Sequence, residues 1–349
     1  MREIKVGLVG FGAGGEFFHA PIISSVPGFK ITHVVERHRE RSKELYPSVR
    51  VVKSIDDLLK TEVSLVVITT PNWYHYEQAQ KALEAGKNVI VDKPLTVTSK
   101  EADTLIELAK SKNVLLSVYH NRRWDGSFLT IQKIIDGHWL GNITGFDTRF
   151  DRYRPEPKQG SWRETARQGG GLLYDLGPHL IDQAMQLFGL PQAVRAEIKI
   201  ERKSCVADDY FDLYLKYDHV KVRLRAGMMV KEATPSYVIQ GTEGAYTKYG
   251  FDSQEASLKA GKLPKDDRNW GWETADKWGF SNSTAHGLKY YGKIETIPGD
   301  YRKYYENIYK VMTGEEELAV TPQQAREVVR IIELARLSSK EKKEVPYSH

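Results

Sequence analysis

Residues 4–15 constrain the fold of this chain more than any others. They consist of the apolar run Ile4 to Val9 followed by Gly10-Phe11-Gly12-Ala13-Gly14-Gly15. A short apolar run bounded by glycine reads as a strand buried on both faces. The stretch behind it, through Pro21 and Ile22-Ile23, reads as helix. In a strand–glycine–helix unit, Gly10 permits the tight turn and Gly12 lets the backbone approach a pyrophosphate. Gly15 lets helix and strand pack closely. The helix N-terminus then offers free N–H groups and a positive dipole end to phosphates. The unit predicts a dinucleotide site, with Gly10, Phe11, Gly12 and Gly15 against the cofactor.

The next strand, Ile31 to Val35, ends at Glu36, 21 positions after Gly15. An acid about 20 residues beyond the glycines accepts the ribose 2′-OH of NAD. Arg37, with Arg39 and Arg41 behind it, suits the 2′-phosphate of NADP instead. Glu36 would repel that phosphate unless it turned away, so the residues favour NAD slightly and leave NADP open.

The alternation continues through strands at Val63–Thr69, Asn88–Asp92 and Val114–Tyr119. Between them lie helices at Tyr74–Ala85, stopped by Gly86, and at Ser99–Ser111, with Ser99 and Asp103 near its start. Strands alternating with helices predict a doubly wound parallel sheet, which binds ligands at the carboxyl ends of its strands. Three polar clusters fall there: Thr69-Thr70-Pro71-Asn72-Trp73-Tyr74-His75, Asp92-Lys93-Pro94, and Tyr119-His120-Asn121-Arg122-Arg123-Trp124.

After residue 123 the pattern changes, so the chain divides into a Rossmann domain at 1–123 and a second domain at 124–349. The runs Gly145–Tyr153, Ala193–Ile200, Asp209–Tyr217, Val220–Met229 and Tyr237–Tyr249 alternate with period two. They predict a mostly antiparallel sheet with one face covered by helices and one free. Residues 262–286 read as an inserted loop, and helices at Tyr301–Met312 and Gln323–Ser339 close the chain.

Composition narrows the function classes. The net charge of +5 comes from interspersed acids and bases rather than a basic stripe, which argues against nucleic acid as a partner. The single cysteine, Cys205, excludes an intrachain disulfide and a Cys-rich zinc site, and suits a reducing cytoplasm. Met1 to Lys5 runs into a strand pattern without a cleavage region, and no apolar run is long enough to span a membrane. A cytoplasmic protein of two domains is expected.

The second domain holds the densest titratable stripe. Behind Gly169-Gly170-Gly171, a helix would place Asp175, His179 and Asp182 on one face. Metal coordination by these three is disfavoured, because Lys93 competes for the same electrostatic role.

Taken together, these residues resemble the Gfo/Idh/MocA oxidoreductase family over essentially the whole chain. The carriers are the N-terminal glycines, Thr70-Pro71 with His75, Asp92-Lys93-Pro94 (the family usually has Glu at Asp92) and the Asp175–Asp182 helix. His19-Ala20-Pro21, Ser117 to Asp125 and Arg152-Tyr153-Arg154-Pro155 resemble the branch that includes NADP-dependent scyllo-inositol dehydrogenase.

The resemblance implies a Rossmann domain plus a C-terminal α+β domain whose free sheet face makes a homodimer or homotetramer. It implies Lys93, Asp175 and His179 as the catalytic set and a cis bond before Pro94. Glu36, Arg37, Thr70, Pro71, Asn72, His75, Asp92 and Lys93 join the glycines on the cofactor side. Substrate contacts are expected from Tyr119, Asn121, Arg122, Arg123, Tyr153, Arg154, Asp175, His179 and Asp182, with Trp162 as an apolar plate. That set suits a polyol, cyclitol or sugar.

Oxidising a secondary hydroxyl needs a base of near-neutral pKa, which suits His179. Lys93 supplies positive charge where alkoxide develops. Either is a candidate for the immediate base, and Asp175 orients the imidazole or binds a substrate hydroxyl. Two other readings keep the same fold: a glycosidase using NAD transiently, and a non-catalytic dinucleotide sensor or co-regulator.

Overall fold

A computed structural model describes residues 2–285 and 287–347. The chain forms two compact units. The first comprises Met1–Asn121, Gln254–Trp270 and Asp300–Val329, and the second Arg122–Ser253, Gly271–Gly299 and Arg330–His349.

The first unit is built on β1 (Ile4–Val9), β2 (Phe29–Val35), β3 (Arg50–Val52), β4 (Leu65–Ile68), β5 (Asn88–Val91) and β6 (Leu116–Val118). They form one parallel six-stranded sheet in the order β3-β2-β1-β4-β5-β6. Val6, Leu8, Val66, Ile68, Val89 and Val91 are buried, as strands covered on both faces require. Strand order reverses between β1 and β4, and such a switch point opens a crevice at the strands' carboxyl ends.

The helix after the glycines is irregular. Gly14–His19 winds as a π-helix before α1 (Ala20–Ile23). Two short helices follow, α2 (Arg41–Leu45) and α3 (Ile55–Leu59), and then α4 (His75–Glu84) and α5 (Ser99–Lys112). The cap of α5 is Thr98. Thr98 and Glu101 form a reciprocal capping box, and Asn113 ends the helix in the left-handed region.

The second unit begins with α6 (Gly126–Asp136), which the sequence reading did not distinguish, and contains the long α7 (Leu172–Phe188). Its strands are β7 (Ile143–Arg149), β8 (Ala193–Lys199), β9 (Tyr210–Lys216), β10 (Lys221–Gly227), β11 (Tyr237–Gly241), β12 (Gly244–Lys248), β13 (Gly279–Ala285), β14 (Leu288–Ile294) and β15 (Val345–Pro346). They form one nine-stranded sheet in the order β14-β13-β12-β11-β7-β10-β9-β8-β15, antiparallel except for β7 with β10. Phe211, Leu213 and Leu215 point inward, while Tyr214 is 46% exposed on the free face.

Three expectations are corrected. The run to Tyr153 stops pairing as a strand at Arg149, and Tyr153 makes only an isolated bridge to Met229. Tyr237–Tyr249 is a hairpin of β11 and β12, not one strand. Within 262–286, Gly279–Ala285 is β13, paired to β12 and β14, while residue 286 lies outside the described residues. Phe280-Ser281-Asn282-Ser283-Thr284 carries one apolar side chain, so its period of two left no hydrophobic trace.

Three later helices complete the chain: α8 (Ser253–Lys259), α9 (Arg302–Thr313) and α10 (Pro322–Glu341). Most of α8, all of α9 and the start of α10 belong to the first unit, so the compact units are not simply the two halves of the sequence.

Candidate active site

In the first unit, the carboxyl ends of β1, β2 and β4 enclose a cleft of about 490 Å³. Gly10, Phe11, Glu36, Arg37, Thr70 and Pro71 all line it, with Tyr74 beside them. Gly10 has φ of +97°, a conformation that needs glycine. A Cβ at Gly15 would lie 2.6 Å from the Gly10 carbonyl oxygen, so the close packing there is real. A Cβ at Gly12 would meet nothing within 4 Å, which leaves open space for a ligand's close approach. These features fit a dinucleotide phosphate backbone at the glycine turn.

Glu36 also has a structural role. Its carboxylate accepts from the Arg41 N–H at 3.2 Å, the Ser42 N–H at 3.0 Å and the Ser42 hydroxyl at 2.5 Å. These bonds anchor the carboxylate to the start of α2 while Glu36 lines the cleft. Arg41 donates to the buried Glu16 at 2.6 Å. Arg37 and Arg39 remain exposed on the cleft, with the Arg37 guanidinium 5.9 Å from the Tyr74 ring.

His75 is also corrected as a cofactor contact, since it is fully buried. Its Nδ1 lies 2.8 Å from the Pro94 carbonyl oxygen and its Nε2 2.8 Å from that of Thr70. Burial pushes its pKa down, and a neutral ring donates to only one of the two carbonyls at a time. His75 therefore ties the Thr70 loop to the Lys93 loop. Asn72 is likewise buried.

Asp92 and Lys93 follow β5 directly. The Lys93 N–H donates to Asp92 Oδ1 at 2.8 Å, and the Lys93–Pro94 bond is cis, as the resemblance implied. Burial pushes the Asp92 carboxyl up. His19 more than offsets this together with Lys93 and His75, holding it at about 2. Tyr119, expected to meet substrate, is buried instead; its hydroxyl donates to the Phe18 carbonyl at 3.2 Å and its ring packs on His19. Asn121 is buried too.

In the second unit, Asp175, His179 and Asp182 do share α7. The start of α7 is fixed from a distance. Asp208 accepts from the Leu173 N–H at 2.8 Å through its carboxylate and from the Leu172 N–H at 2.7 Å through its carbonyl. Gly171 has φ of +88°, and a Cβ there would come within 2.3 Å of the Asp208 carboxylate. This is the physical reason for one of the three glycines.

The stripe divides into unlike parts. Asp182 is 2% exposed and accepts a bidentate pair from Arg123, at 2.9 Å and 2.7 Å. Arg123, expected on substrate, is thus spent on α7 and is itself buried. Arg122 is also buried, 3.0 Å from Asp125. Asp175 is half-buried and accepts from Arg163 Nε at 2.9 Å. The Arg163 guanidinium lies 4.4 Å from the Trp162 ring, which links Trp162 to Asp175. His179 is 7% exposed. Tyr153 and Arg154 are exposed, the former 5.5 Å from Lys231 Nζ. Arg163 and Asp208 were missed because nothing local to them signals a partner on α7. Among the described residues, no three His, Cys, Asp or Glu side chains gather as a metal site.

Comparison with known proteins agrees with this fold. A family model described as the oxidoreductase family's NAD-binding Rossmann fold matches residues 4–120. One described as that family's C-terminal alpha/beta domain matches residues 132–347. The chain is 39% identical to scyllo-inositol 2-dehydrogenase (NADP(+)) IolW of Bacillus subtilis, over 99% of this chain and 96% of that protein. It is also 39% identical to the oxidoreductase YdgJ of Escherichia coli, over 97% of each. Among solved structures, an oxidoreductase, yvaA, from Bacillus subtilis superimposes with a TM-score of 0.95 at 38% identity, covering 99% of each chain. One from Bacteroides fragilis gives 0.91 at 43% identity, over 99% of this chain and 100% of that one.

Proposed function

Because the chain belongs to the Gfo/Idh/MocA oxidoreductase family, we propose that it oxidises a secondary hydroxyl of a cyclitol, with scyllo-inositol or a close relative as substrate. The chain is an NAD(P)-dependent oxidoreductase acting on CH–OH groups, and the finer reading is supported by the printed activity of its Bacillus relative. The carrying observation is the presence in one chain of a phosphate-ready glycine cleft and of Lys93, Asp175 and His179.

The cofactor, when bound, supplies hydride acceptance at its nicotinamide. The chain's own residues do the rest. Gly10, Gly12, Thr70 and Pro71 hold the dinucleotide at the ends of β1 and β4. Lys93 presents positive charge to the substrate oxygen, and His179 takes the hydroxyl proton. Arg163 holds Asp175 in place on the same face of α7 as His179.

NADP is favoured over NAD in this reading. The lean toward NAD came from Glu36, whose carboxylate is anchored to the start of α2, while Arg37 and Arg39 stand exposed among the charged groups of the cleft, which also include Asp56, Glu77 and Lys81. The protein is expected to act in the cytoplasm and as a homo-oligomer. The free sheet face, with Tyr214 exposed and Arg223 5.3 Å from its ring, is the surface offered to a second copy.

The test is formation of reduced cofactor, followed by absorbance with NADP and NAD separately across inositol isomers and common sugars. NADP-dependent turnover of scyllo-inositol supports the reading. Tight dinucleotide binding with no reduced cofactor from any polyol would favour a sensor, and glycoside cleavage without net reduction a glycosidase. Arg37→Ala is expected to raise KM for NADP about tenfold while leaving NAD kinetics unchanged.

A further inference from the structure

Between β7 and α7 of the second unit the chain is mostly irregular and winds into a short helical turn at Trp162–Glu164. Such a turn is too short to hold its own place, so contacts from outside must locate it. At α7, the Gly171 N–H donates to the Arg163 carbonyl at 2.8 Å, and Arg163 Nε donates to Asp175 Oδ1 at 2.9 Å. From the other side comes Arg202, in the loop between β8 and β9. Its Nη2 donates to Glu164 Oε2 at 2.7 Å.

Arg202 is a buried arginine that the chemistry above does not use. Its Nε donates to the buried Asp209 at 2.8 Å, and its Nη1 lies 3.4 Å from the Arg154 carbonyl oxygen. Asp209 is itself fixed, accepting from the N–H groups of Glu201 at 2.7 Å and Arg202 at 3.1 Å. The direction of the guanidinium is therefore set within the β8–β9 loop, and its planar fork carries that direction to Glu164. Asp208, one residue before Asp209, fixes the first turn of α7. One loop thus locates both the helix that bears Asp175 and the turn that bears Arg163.

We propose that Arg202 and Glu164 are positioning residues for the substrate: they fix the Trp162–Glu164 turn so that Arg163 meets Asp175 and holds its carboxylate in one orientation. Both act through Arg163, and neither needs to touch substrate or cofactor. The inference rests on the reading of Asp175 as a group that meets the polyol.

Glu164→Gln tests this first, because it leaves the buried pair of Arg202 and Asp209 intact. With NADP and scyllo-inositol, KM for the polyol is expected to rise about fivefold while kcat changes by less than about twofold. NADPH affinity, measured by fluorescence, and Tm are expected to stay at their wild-type values. Arg202→Lys keeps the charge but gives up the fork that serves Asp209 and Glu164 at once, and should raise the same KM. The decisive readout is a double-mutant cycle. In an Arg163→Leu background, Glu164→Gln should change the polyol KM by less than about twofold, because the link it weakens is already gone.

A lowered Tm with the polyol KM unchanged in Glu164→Gln would show a purely structural ion pair and overturn the proposal. So would full multiplication of the two losses in the double variant, since the effect would then bypass Arg163. Asp175→Ala separates the two failures. If it impairs polyol turnover while Glu164→Gln behaves as wild type, only the positioning role falls. If Asp175→Ala turns over normally, the reading of Asp175 falls and the positioning role with it.

Discussion

The glycine cleft of the first unit and helix α7 of the second reach functional geometry by different routes. The cleft is made by backbone and by residues at strand ends. Gly10, Glu36 and Thr70 all lie within two residues of β1, β2 or β4, so a parallel sheet delivers them to one place. On α7 the chemistry is carried by side chains held from elsewhere: Asp175 by Arg163, Asp182 by Arg123, and the first turn by Asp208. A site built from strand ends tolerates change in its neighbours. A site built from ion pairs depends on every partner.

That difference is breakable by mutation, and the largest effect belongs to the buried pair. Arg123→Met leaves Asp182 charged and uncompensated, which is expected to cost about 3–5 kcal/mol in urea unfolding. The double variant with Asp182→Leu should recover most of that loss. Equal damage from the single and double variants would mean that the pair contributes more than mutual neutralisation.

An acid-stability measurement follows, this time in the first unit. Asp92 is held at about 2 against an ordinary 3.8. Its contribution is therefore fully present above the ordinary value and is lost as pH falls through it toward 2. Unfolding free energy should drop by about 2 kcal/mol over that window on this account, and Asp92→Asn should flatten the drop. A variant with an unchanged slope there would place the acid sensitivity in other carboxylates.

A smaller effect is expected at the rim of α7. Arg163→Leu removes the Arg163 bond to Asp175, which is partly exposed, and should lower kcat/KM for the polyol by about tenfold with dinucleotide binding unaffected. Weakened cofactor binding in that variant would remove the distinction between the two regions.

The same contrast explains what was legible in advance. The order of the first sheet, the cleft and its glycines follow from local pattern, because apolar strands and glycine turns act over a few residues. Helix α7 with Asp175, His179 and Asp182 was readable as a stripe at helical spacing. Its partners were not: Arg163 lies 12 residues before Asp175, and Arg123 lies 59 before Asp182. Arg123, Tyr119 and His75 were assigned to ligands because a polar or aromatic side chain at a strand end looks the same whether it faces a ligand or the core. Glu36 has the right spacing for ribose, yet Arg41 and Ser42 decide where its carboxylate goes. Strand β13 escaped because its polar composition carries no hydrophobic period: the side chains it buries, Ser281 and Ser283, are hydroxyls.

The proposed function has the first unit bind the cofactor while α7 supplies the proton-accepting group. His179→Ala tests it most directly, through kcat with NADP and scyllo-inositol alongside NADPH affinity. A fall in kcat of at least about 100-fold with affinity unchanged is expected. A near-wild-type kcat would contradict it.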